Sequence, residues 1–101
     1  MTNLVIRYQT KPEATQLNAD LIRNVFREAA AAAPQGVRYL VLQAEDGTFY
    51  HLVAYESEAA NAGLTGLPAF KAFAEDGEAR RSGPFERREV TVVGNYRMLP
   101  D

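Results

Sequence analysis

Residues 37–55, VRYLVLQAEDGTFYHLVAY, constrain the fold more than any other stretch of the chain. Two runs rich in β-branched and aromatic residues flank Asp46-Gly47, a dipeptide suited to a tight turn, and together they predict a β-hairpin. Two registers are open. A two-residue turn sets Leu42 opposite His51, and a three-residue turn with a glycine bulge sets Val41 opposite His51. Whatever lies on either side must build onto this antiparallel pair.

Upstream, residues 3–9 (NLVIRYQ) predict a first strand. Pro12 suits the first helical position, where its missing N–H leaves nothing unpaired. From Glu13 to about Ala33 the residues Ala14, Leu17, Leu21, Val25 and Ala29 recur at spacings of three and four, which predicts a long helix buried along that face. Pro34 and Gly36 end it. Downstream, Ser57 suits the N-cap of a short turn over residues 58–62, closed by Gly63. A second helix starts at Pro68 with Phe70, Phe73 and Ala74 buried. Gly63 and Gly66 make the gap between turn and helix either a hinge over a cavity or a simple capping device. Residues 80–84 (RRSGP) read as a loop, and Arg80, Arg81, Arg87 and Arg88 with Glu86 and Glu89 as a solvated connection. Residues 88–98 predict the last strand, with Gly94 at a bulge or close approach.

The order is β-α-β-β-α-β without repeat or linker. Residues 1–101 are therefore read as a single α+β domain, a ferredoxin-like antiparallel sheet with two helices on one face. Its strands are apolar on both faces, whereas a face turned to water would alternate to polar. A second layer is needed and the chain has no element left for it, so the expected partner is a second copy, packed sheet to sheet in a homodimer.

Composition removes several function classes. Eleven basic residues scattered among 13 acidic ones leave no basic stripe, and no RNP1-like segment is present, so no nucleic-acid partner is expected. With no cysteine there is no disulfide, thiolate or cysteine metal site. Metal-ligand spacing, a phosphate-cradling glycine loop and a Ser/His/Asp arrangement are absent from the sequence, so neither metal nor cofactor is expected. The first apolar run is short and contains Arg7, unlike a signal peptide or membrane span; the expectation is a cytoplasmic protein with no membrane partner.

The run FYHLVAYESEAANAGLTGLPAFKAF, after a βαβ opening of matching length, resembles the antibiotic biosynthesis monooxygenase-like proteins. The likeness rests on Tyr55-Glu56-Ser57-Glu58-Ala59 leaving the third strand and on Pro68-x-Phe70-Lys71-x-Phe73 opening the next helix. It implies a dimeric α+β barrel whose helix roofs a small apolar cavity. Relatives of this kind include cofactor-free oxygenases of phenolic or quinol-type compounds, haem-degrading enzymes, isomerases and proteins of no known role. The haem-degrading branch uses a tryptophan and a helix histidine; the matching neighbourhoods here are Gly63-Leu64 and Phe73-Ala74, and the chain has no tryptophan. The histidine that the oxygenase branch often carries near residue 63 or 64 is also missing.

His51, the only histidine, is the natural general base for a phenolic proton, and it shares a strand face with Phe49, Val53 and Tyr55. The alternative is a half-buried imidazole satisfied by backbone or a tyrosine. The pocket candidates are Tyr55, Phe70, Phe73 and Asn95. Tyr8, Tyr39, Tyr50 and Tyr96 also fall in strands, as ligand-orienting hydroxyls or as core residues with a polar tip. Arg7, Arg38 and Arg97 interrupt apolar strands and are read chiefly as partners of carboxylates. The resulting expectation is a cofactor-free monooxygenase of a small aromatic metabolite, or a non-catalytic ligand-binding or accessory dimer on the same fold.

Overall fold

The computed structural model of the protein describes residues 1–100. β1 (Thr2–Gln9) leads through a 3-10 turn (Pro12–Ala14) into α1 (Thr15–Ala32). β2 (Val37–Gln43) and β3 (Thr48–Tyr55) form the hairpin; α2 (Glu58–Thr65), α3 (Pro68–Ala74) and the single turn α4 (Gly77–Arg80) follow, and β4 (Glu86–Glu89) closes the sheet. The strand order is β2-β3-β1-β4, antiparallel throughout, with the helices on one side: the α+β, ferredoxin-like arrangement.

The hairpin adopts the second of its two registers, with Val41 opposite His51. Ala44 N–H donates to the Thr48 carbonyl and Gly47 N–H to that of Ala44, while Gly47 takes a φ of 86°. A left-handed glycine after a tight turn supplies the bulge, and Asp46 steadies it by accepting from the Thr48 N–H at 3.0 Å.

α1 starts and stops near the expected points. Ala33 takes the left-handed cap conformation (φ 47°), and its N–H bonds to the Ala29 carbonyl. Its buried face differs from the predicted one: Asn18, Ala19, Ile22 and Val25 are buried, whereas Leu17 is 54% exposed. The stripe is rotated because Asn18 has polar partners waiting under the helix and because the branched Ile22 and Val25 fill the sheet side.

α2 begins at the Ser57 cap, whose Oγ accepts from Ala60 N–H at 3.1 Å, but it runs past Gly63 to Thr65. Gly66 is its C-cap, bonded to the Ala62 carbonyl, and a Cβ there would come within 2.8 Å of that oxygen. The close approach accounts for the glycine by capping. α3 lacks a side-chain cap of its own; the Glu28 carboxylate on α1 accepts from Ala69 N–H at 2.9 Å and ties α3 to α1.

The last strand is shorter and earlier than predicted. β4 pairs with β1 from Arg7↔Glu86 to Leu4↔Glu89, and Val90 N–H reaches the Asn3 carbonyl. Beyond that point only Met1 and Thr2 remain on the β1 side, and TVVGNYRM continues as an exposed arm in which Val93 is 99% accessible. Gly94 has open space around it and marks no close approach. Across the sheet's outer face, Val5, Leu52 and Leu40 stand in one register row with no helix over them.

Candidate functional site

The inward residues of β1, β2 and β3 meet α2 and α3 across a cavity of about 330 Å³. Leu4, Ile6 and Val53 form its apolar floor, and Leu64, Phe70 and Phe73 its roof. Period-two alternation brings Tyr8, Tyr39 and His51 to the same side of three adjacent strands, making a polar wall between the apolar floor and roof.

That wall is a continuous hydrogen-bonded chain. The His51 Nε2 lies 2.8 Å from the Tyr8 hydroxyl and its Nδ1 lies 2.7 Å from the Tyr39 hydroxyl. Asn18 Nδ2 donates to the Tyr8 oxygen at 2.9 Å, and Arg80 Nε donates to Asn18 Oδ1 at 2.8 Å. Arg80 is itself locked by the carbonyls of Glu75 and Phe73. Aromatic packing holds the rings: Phe73 stacks on His51 at 5.5 Å and Phe26 on Tyr39 at 4.9 Å.

Burial sets the electrostatics. His51 is 4% exposed, and loss of hydration holds its pKa down to about 4, so the imidazole is neutral near pH 7. Burial likewise pushes the Tyr39 and Tyr8 phenols above their usual range, the Asn18 hydrogen bond and the Arg80 charge acting against the rise at Tyr8. At the mouth, Arg81 and Arg87 line the cavity, and neither forms an ion pair among the described residues. Arg81 lies over the Phe85 ring at 4.8 Å and keeps a buried Nε without a partner among the described residues.

Several expected residues fall elsewhere. Phe70, Phe73 and His51 come together in the cavity, but both imidazole nitrogens are taken by tyrosines, so His51 offers no free nitrogen to a phenol. Tyr55 is buried at the far end of β3, opposite Thr2 and Val37, and does not line the cavity. Asn95 is exposed in the arm, where Oδ1 accepts from the N–H groups of Met98 and Leu99. It stabilises its own turn. Arg80 and Arg81 do not belong to a solvated loop: Arg80 is buried and Arg81 half-buried. Asn18, a polar residue beside the apolar face of α1, was the available sign of a buried partner, though its spacing alone could not name Arg80. Arg7, by contrast, pairs across strands with Glu86 at 3.5 Å, as anticipated for an arginine in an apolar strand.

A ferredoxin-like sheet roofed by two short helices, with one aromatic, hydrogen-bonding cavity between the layers, defines a class of small α+β proteins. Residues 1–76 match the antibiotic biosynthesis monooxygenase family, and the chain belongs to it. Solved structures share the fold at low identity. An antibiotic biosynthesis monooxygenase superposes with a TM-score of 0.74 at 17% identity, over 93% of this chain and 100% of the other. A protein of unknown function from Nitrosomonas europaea gives 0.72 at 21% identity, over 99% and 94%. A conserved protein from Methanosarcina mazei gives 0.72 at 18% identity, over 88% and 89%. No curated protein sequence matches this chain. Among the described residues no group of three or more His, Cys, Asp or Glu side chains could hold a metal ion, and no helix is long and apolar enough to cross a membrane.

Proposed function

We propose that the protein is a homodimer that binds a small aromatic metabolite of the phenol or quinol type and oxygenates it without a cofactor. The observation that carries this reading is the cavity of about 330 Å³ with apolar floor and roof and one hydrogen-bonding wall, a composition suited to a ring bearing an oxygen. Family membership favours oxygen chemistry without specifying a substrate. In this reaction the substrate's own anion supplies electrons to dioxygen. For an anthrone-like substrate, a ring CH2 becomes a carbonyl that keeps one oxygen atom, and the two hydrogens leave with the other as water.

The chain's part is desolvation, orientation and charge. The walls exclude water, Phe70 and Phe73 meet the ring, and the Arg81 and Arg87 guanidinium groups favour the substrate anion. His51 acts through the Tyr39 and Tyr8 hydroxyls that occupy its nitrogens, so its role is positioning. The engaged state of His51 also favours a second reading, a non-catalytic binder on the same fold. Oxygen-electrode assays with anthrone and with 1,4-naphthohydroquinone separate the two. Uptake that saturates with substrate, exceeds autoxidation and falls in Phe73→Ala supports the enzyme. Saturable binding without uptake leaves the binder, and absence of both defeats the cavity as a ligand site. Haem is no substrate here: with reductant present, its absorbance should persist.

A further inference from the structure

We propose that Arg80, acting through Asn18, Tyr8 and His51, sets the polarity of the cavity wall so that Tyr39 meets the ligand as a hydrogen-bond donor. The site then selects a ligand that presents an acceptor oxygen, a carbonyl or phenolate, against Tyr39. This rests on the cavity being the ligand site, as argued above, and specifies the ligand's chemistry there.

The direction follows link by link from donor inventory. A guanidinium carries donors only, so the Asn18 atom 2.8 Å from Arg80 Nε is the amide oxygen, and the amide nitrogen must face Tyr8. The Tyr8 oxygen therefore accepts from Asn18. Its own proton then has two places to go. Pointed at His51 Nε2, 2.8 Å away, it is paired, and the imidazole carries its hydrogen on Nδ1 and donates to Tyr39. Pointed elsewhere, it is an unpaired donor on a side chain only 6% exposed, stripped of water with nothing in return.

In the first arrangement the one unpaired hydroxyl proton belongs to Tyr39, which is half-buried and lines the cavity. Every link also donates away from the buried cation, so each bond dipole turns its positive end from Arg80, and successive bonds in such a chain strengthen one another. Among the described residues Tyr39 has no hydrogen-bond partner other than His51. An oxygen acceptor on the ligand completes the chain. Arg80, Asn18, Tyr8 and His51 are thus positioning residues, and Tyr39 is the group that touches ligand.

The test reads the tautomer directly. His51 is the only histidine, so a long-range 1H–15N spectrum of the untagged, 15N-labelled protein contains one imidazole pattern. At neutral pH it should show Nδ1 protonated and Nε2 bare; the opposite pattern in the wild type overturns the proposal. Asn18→Asp keeps the acceptor for Arg80 but replaces the donor to Tyr8 with an acceptor. Tyr8 must then donate to Asp, accept from His51 Nε2–H, and leave Nδ1 to accept from Tyr39. The pattern should invert, and an unchanged one overturns the proposal. If that variant does not fold, Tyr8→Phe cuts the same link and should bring the two tautomers to comparable populations; persistence of pure Nδ1–H there also overturns it.

Affinities for 1,4-naphthoquinone (acceptor only) and 1-naphthol (able to donate) supply the second arm. In Asn18→Asp their ratio should move about tenfold toward naphthol; no movement with an inverted tautomer overturns the selection of ligand. If the tautomers behave as stated and neither probe binds either protein, the ligand-site reading fails while the polarity of the wall stands.

Discussion

At the scale of single residues, the cavity concentrates its thermodynamic consequences in His51. Burial lowers its folded-state pKa to about 4 from an ordinary 6.5, so between these values the unfolded chain binds the extra proton. Its contribution to stability is therefore complete above about pH 6.5 and drains away as the pH falls through 4. The size is about 3 kcal/mol, from 1.36 kcal/mol per pKa unit. Denaturant titrations from pH 7 to pH 4 should show the wild type losing stability more steeply than His51→Gln by roughly that amount; parallel curves would contradict a buried neutral imidazole. Tyr39 is the other decisive side chain. Tyr39→Phe should weaken 1,4-naphthoquinone binding about tenfold, the worth of one hydrogen bond, with Phe26 stacking still holding the ring in place. Isothermal titration of the two proteins measures this. His51 was visible in the sequence because only one histidine exists, but its partners were not. Nothing local in NADLIR says that Asn18 reaches Tyr8, or that an arginine 62 residues later closes the chain from the other side.

At the scale of elements, the hairpin and the roof each depend on one unusual atom placement. Gly47 sits at φ 86°, and a Cβ there would come within 3.3 Å of the Thr10 hydroxyl. Gly47→Ala should cost about 1–2 kcal/mol, several degrees in Tm for a domain of this size. Glu28 lends its carboxylate to the start of α3, so Glu28→Ala should cost about 1 kcal/mol and quicken amide exchange at Ala69 in particular. Uniform quickening over the whole chain would point to a general loss of stability instead. The elements themselves were legible, since hydrophobic period and turn residues mark strands, helices and the Ser57 cap. Two features were not. The register of the hairpin depends on whether Asp46-Gly47 is the whole turn or its end, and both fit the residues. The length of β4 depends on where β1 runs out, a limit set 85 residues away, at Leu4 for Glu89, that the β-rich sequence VTVV does not record.

At the scale of the whole molecule, the helices cover one side of the sheet and leave the other open. Leu40 and Leu42 are 44% and 50% exposed there, beside Val5 and Leu52. Burying this face against a second copy is the assembly proposed above, and sedimentation equilibrium at micromolar protein should give about twice the 11.2 kDa chain mass. Leu52→Lys places a charge in the middle of the face and should shift the equilibrium toward a single chain. A wild-type chain that sediments as a folded monomer would sink the sheet-to-sheet dimer. The strand order carries a further consequence for how the chain reaches its native state. β1, the first strand in sequence, is central, and both its neighbours come later: β3 after the hairpin turn and β4 after residue 85. Only the β2–β3 hairpin can form from neighbouring residues. Thr2 must wait for Tyr55, and Leu4 for Glu89, so most of the sheet closes through long loops. Folding should accordingly be slow for a chain of this length, with the hairpin as the early structure and the β1–β4 pairing among the last events.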